Sequence, residues 1–79
     1  MITGAQVRAA KALLSWSGGM LSASAGVALS SIRKVEAVDG VPENVSVKTL
    51  ISIKKALEDA GVEFIGTPED GPGVRLYKV

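Results

Sequence analysis

Residues 17–36 read SGGMLSASAGVALSSIRKVE, and the fold turns on how this stretch is divided. Ser17 is a good N-cap for a short helix carrying Met20, Leu21 and Ala25. Gly26 falls where the end of that helix wants a left-handed residue, and Val27 follows it. A second helix is expected from about Leu29 to Glu36 or Ala37, with Ile32 and Val35 on one face. Ala28 offers no capping oxygen at its start. Two short helices joined by a tight turn are therefore predicted, with Leu21 and Ala25 facing Val27, Ile32 and Val35. The small residues Ser22 and Ala25 let the helices cross closely.

This arrangement has a chemical consequence. The outward start of the second helix holds Leu29, Ser30, Ser31, Arg33 and Lys34. A helix presented this way fits the major groove of duplex DNA, with its N-terminal residues toward base edges. Arg33 and Lys34 can reach base acceptors or phosphates, and Ser30 can donate or accept. Leu29 can meet a thymine methyl, or a protein partner. The backbone amides near Ser17 and Gly18, at the start of the first of the two helices, can hold a phosphate oxygen.

Working outward, Thr3-Gly4-Ala5-Gln6 fits a capping box. Behind it Val7, Ala10 and Leu14 repeat at helical spacing, which predicts a helix over residues 4–14. Trp16 is expected to plug the core between this helix and the next. Val38 to Asn44 reads as a loop around Asp39-Gly40 and Pro42. Ser46 can cap a further helix, in which Val47, Leu50, Ile53 (or Lys54 beside it) and Leu57 form the buried stripe; Lys48, Lys55, Glu58 and Asp59 form a solvated face. Gly61 ends it. Val62 to Ile65 is a β-type run, Gly66 to Gly73 a loop, and Val74 to Val79 a second strand. A lone hairpin is marginal in water, so it must pack on the helices or complete a sheet across a dimer. Phe64 and Tyr77 are expected to pack within it. One domain is expected over residues 1–79, with a helical core at 1–61 and a β extension at 62–79 that could serve dimerisation.

Composition narrows the function classes. The chain has 79 residues, no Cys and no His. A domain this small has a thin stability margin, which favours dimerisation. The commonest general base and the commonest metal ligand are missing together, so no metal, no cofactor and no catalysis are expected. Glu58-Asp59 and Glu69-Asp70 are adjacent pairs read as solvated surface, and Gly71-Pro72-Gly73 lacks the Lys-Ser/Thr of a phosphate loop. Net charge is +1 but unevenly placed. Residues 1–35 hold Arg8, Lys11, Arg33 and Lys34 with no acid, a net of +4, while residues 36–79 net −3. The basic half is expected to face a polyanion. Ala12 to Ile32 is an uncharged run of 21 residues, long enough to span a bilayer, but nine of its positions are Ser or Gly, and no membrane span is expected. Met1 to Val7 shows no basic leader, so a cytoplasmic location is expected.

The sequence resembles the phage-repressor-type, Xre-like helix-turn-helix proteins along nearly its whole length. The resemblance rests on Met1-Ile2-Thr3-Gly4-Ala5-Gln6 with Arg8 to Leu14, on Ala25-Gly26-Val27 as the turn, on Ile32 as the core anchor, and on Ala56 to Ile65 with Gly73-Val74-Arg75-Leu76. It implies a mainly α, four- to five-helix lambda-repressor-like domain with a C-terminal β-strand pair. It also implies a homodimeric, sequence-specific DNA-binding regulator, expected to be a repressor. A structural ion pair between Lys11 and Glu36 is implied as well. The departures lie at the DNA-reading positions. Ser17-Gly18-Gly19 stands where the family has Ser-Gln-Glu, Ala28 where it has Ser or Thr, and Leu29 where a polar base reader is common. They motivate an alternative: the same scaffold used for protein–protein contact, as in an antitoxin or antiactivator subunit.

Overall fold

The computed structural model describes residues 1–77. Among them are four helices and one two-stranded antiparallel sheet: α1 (Gly4–Leu14), α2 (Gly18–Ala25), α3 (Leu29–Glu36), α4 (Val47–Asp59), β1 (Val62–Thr67) and β2 (Asp70–Leu76). About half of the chain is helical.

α1 starts on a reciprocal cap. The Gln6 N–H donates to Thr3 Oγ1 at 3.1 Å, and the Thr3 N–H donates to Gln6 Oε1 at 2.8 Å, which satisfies two amides that a helix start leaves without partners. Gln6 Nε2 also donates to the carbonyls of Gly73 at 2.9 Å and Ile65 at 3.3 Å. One buried amide thus joins the first helix to both strands. α1 ends at Ser15, which adopts a left-handed φ of 56°.

α2 is capped by Ser17, whose Oγ accepts from the Met20 N–H at 3.1 Å. It stops at Gly26, whose φ of 68° is a conformation that glycine reaches without steric cost. Ser22 Oγ donates to the Val27 carbonyl at 2.5 Å and fixes the turn. α3 then begins at Leu29 without a side-chain cap from Ala28.

Ile2, Val7, Ala10, Leu21, Ile32, Val35, Leu50, Ile53, Ala56, Leu57 and Val62 form one buried cluster drawn from all four helices, β1 and the segment before α1. At about 25 cal/mol per Å² of apolar surface removed from water, this shared burial is the main force holding the elements together. Val47 was expected in the buried stripe of α4 but is 59% exposed. It is the first helical residue, and its side chain leans toward the helix start, beyond the turn that the core covers. Ala56 takes a place in the stripe instead. Trp16 packs against the core, and it shares a cleft with Ser24, Ala56, Asp59 and Ala60. It stands in the connection between α1 and α2 and also borders α4.

The expected loop at 66–73 is mostly strand. β1 continues to Thr67 and β2 starts at Asp70, so only Pro68 and Glu69 form the tip. Val62 pairs with Leu76, Glu63 with Arg75, Phe64 with Val74 and Ile65 with Gly73; an irregularity between Ile65 and Thr67 accommodates Gly66. A bulge absorbs the glycine that reads as a loop breaker. The second strand ends at Leu76, and residues 78 and 79 of its expected span lie outside the described residues. The strands pair with each other within the chain, and Val62, Phe64 and Val74 pack on the core. Tyr77 does not pack: its side chain is exposed, although its N–H donates to the Gly61 carbonyl. The uncharged run Ala12 to Ile32 is divided among α1, α2 and α3, and no helix of the described residues is long and apolar enough to cross a membrane.

Candidate nucleic-acid interface

The turn at Gly26 sets α3 against the body of the molecule by one face. Ile32 and Val35 are buried, while Ser30, Arg33 and Lys34 are exposed. The far end of α3 is held firmly. Lys11 Nζ lies 2.8 Å from Glu36 Oε1, each side chain being less than one-fifth exposed. Glu36 Oε2 is buried, with no hydrogen-bond partner among the described residues. Arg8 Nη1 donates to the carbonyls of Glu36 at 2.6 Å and Val38 at 3.1 Å, and its other terminal nitrogen pairs with the Asp39 carboxylate. The start of α1 closes the same joint, with the Gly4 N–H donating to the Gly40 carbonyl at 2.9 Å. A Cβ on Gly4 would overlap the carbonyl oxygens of Val38 and Val35. Only glycine lets the two helix ends approach this closely.

These contacts revise the charge map read from the sequence. Arg8 and Lys11, half of the basic charge in residues 1–35, are neutralised by Asp39 and Glu36. Farther along, Lys55 pairs with Asp59 and Arg75 with Glu63. Among the described residues, Arg33, Lys34 and Lys48 have no ion-pair partner. Lys54 Nζ sits 5.9 Å from the Phe64 ring centroid. Lys54 has no ion-pair partner either, so the unneutralised positive charge of the described helices lies on α3, on the first turn of α4 and, beside Phe64, farther along α4.

The other candidate residues are placed less freely than the sequence suggested. Ser17 is exposed, and its oxygen is engaged by Met20. Gly18 is half-buried, and a Cβ there would lie 3.3 Å from Leu29 Cδ1, 3.8 Å from Lys11 Nζ and 3.9 Å from Ile32 Cγ2. Leu29 therefore rests on the start of α2, which leaves it 36% exposed. Ser31 does not stand outward with Ser30. It lines a cleft of about 300 Å³ with Gly26, Val27, Ala28, Lys48, Thr49 and Ser52.

Lys48, Thr49 and Ser52 belong to this neighbourhood, and the sequence reading missed them. It placed Lys48 on a solvated face. The polar run at positions 48, 49 and 52 was the available signal, but nothing local says that the start of α4 stands beside the α2–α3 turn.

Comparison with protein-family models, characterised proteins and solved structures gives no match for this chain.

Proposed function

We propose that the chain is a sequence-specific double-stranded-DNA-binding regulator of the lambda-repressor-like helix-turn-helix type, acting as a homodimeric repressor. The observation that supports this best is the outward face of α3, where Ser30, Arg33 and Lys34 are exposed and free of acids while Ile32 and Val35 anchor the opposite face. In this reading α3 enters the major groove. Arg33 and Lys34 bind base acceptors or phosphates, and Lys48 adds phosphate attraction. The role is passive: two copies occupy successive grooves and occlude polymerase. No chemistry is catalysed.

Fluorescence anisotropy against a duplex carrying the protein's own promoter region, and against random duplex, tests this at two salt concentrations. Tighter binding to the promoter that persists at the higher salt is expected. Arg33→Ala with Lys34→Ala should remove that preference while circular dichroism stays unchanged. Equal, salt-abolished binding to both duplexes rules the reading out, since non-specific attraction alone behaves that way. A second reading, a scaffold for protein–protein contact, draws on the exposed Met20, Val47 and Ile51. That outcome of the salt experiment would favour it.

A further inference from the structure

Leu29 opens α3, and its surroundings determine what it can recognise. One side of its side chain is seated: Cδ1 lies over Gly18, where Ile32 Cγ2 and Lys11 Nζ also converge. It is thus held in place at the start of the helix, with its other side exposed. The residues leading into it, Val27 and Ala28, are apolar, and Ala28 provides no hydroxyl or amide cap. The exposed Ala28 and Leu29 form a small hydrocarbon spot at the entrance to α3, bordered by the cleft that Ser31, Lys48, Thr49 and Ser52 line and followed by Ser30.

Such a surface discriminates by exclusion. Purine N7, guanine O6, adenine N6 and cytosine N4 are all hydrogen-bonding groups, and covering them with hydrocarbon removes water without a replacement partner. The one apolar group that a base pair presents in the major groove is the methyl on C5 of thymine. We infer that Leu29 reads a pyrimidine C5-methyl group, so that each half-site holds thymine or 5-methylcytosine at one fixed position. This rests on the DNA-binding reading and adds the chemical class of base that it selects.

The test starts by selecting bound sequences for the full chain from a duplex library with a randomised centre. The enriched duplex is then remade with deoxyuridine replacing thymine one position at a time. At the sensitive position it is also made with cytosine and with 5-methylcytosine. Loss of one buried methyl should weaken binding about fourfold at one position per half-site. Leu29→Ala, checked for folding by circular dichroism, should be indifferent to the methyl. Leu29→Gln should exchange the methyl preference for adenine. Equal gains from thymine over uracil and from 5-methylcytosine over cytosine place the determinant on the methyl itself; a gain with thymine alone makes thymine the source. No uracil-sensitive position, or a sensitivity that Leu29→Ala retains, overturns the inference and leaves DNA binding intact. A library that yields no enriched sequence defeats the DNA-binding reading and this inference with it.

Discussion

The Leu29 side chain lies across the first residue of α2, with Cδ1 3.3 Å from the position a Cβ on Gly18 would occupy. The two residues therefore share one space, and a side chain at 18 has to push Leu29 aside. Gly18→Gln should leave the fold intact, because the site is at the helix start and only half-buried. Stability should change by less than about 1 kcal/mol, since relief from glycine offsets the displacement. The specificity conferred by Leu29 should fall, which anisotropy with methylated and unmethylated duplexes would measure.

Gly4→Ala is expected to be far more damaging. The added methyl meets two backbone oxygens, Val38 O and Val35 O, which cannot rotate away as a side-chain tip could. Relief requires α1 and α3 to separate, at a cost of about 3 kcal/mol. For a domain of this size that corresponds to a fall in Tm of roughly 12–24 °C. A thermal melt within a few degrees of wild type would show that the joint is looser than described.

The Lys11–Glu36 pair should behave as a unit. Lys11→Met leaves a largely buried carboxylate with no counter-charge and should cost about 2 kcal/mol or more. Adding Glu36→Leu removes the stranded charge and should restore most of the loss. A double-mutant cycle by urea denaturation checks this; additive losses would contradict it.

The hairpin carries a mild pH dependence. The hydrogen bond from Arg75, aided by its charge, holds the Glu63 carboxyl below the usual carboxylate range and raises Arg75 in turn. A lowered folded-state pKa means that the contribution is present above the unfolded pKa and is lost as the pH falls through the folded one. Arg75→Gln should therefore raise the titration midpoint of Glu63, followed by carbon-13 NMR. The effect on global stability should be small, because the pair is exposed.

Local signals proved legible where a single residue decides the backbone. Thr3 with Gln6, Ser17, Gly26 and Ser46 each place a helix boundary through their own oxygen or their missing side chain, and those boundaries are where the sequence puts them. The hairpin was less legible because Gly66, Gly71 and Gly73 look like loop punctuation when pairing partners are unknown. Cross-strand pairing with a bulge overrides that local preference. Within the candidate interface, the exposure of Arg33 and Lys34 followed from the spacing of Ile32 and Val35. The retreat of Ser31 into the cleft beside Lys48 did not, because it depends on where α4 begins in space. Val47 shows the same limit in reverse: periodicity gives a helix its apolar face but not how far along that face the neighbouring elements extend.

The carbonyls held by Gln6 belong to residues 65 and 73, on opposite strands near the tail, while its oxygen secures residue 3. Cleavage after Gly61 would consequently be felt at the start of α1, where Gln6 would lose both carbonyl acceptors that tie it to the strands. A fragment of residues 1–61 is therefore not a self-sufficient miniature. β1 and β2 thus act as a clasp on the start of α1, and removing residues 62–79 should compromise the first helix before it touches the second or third.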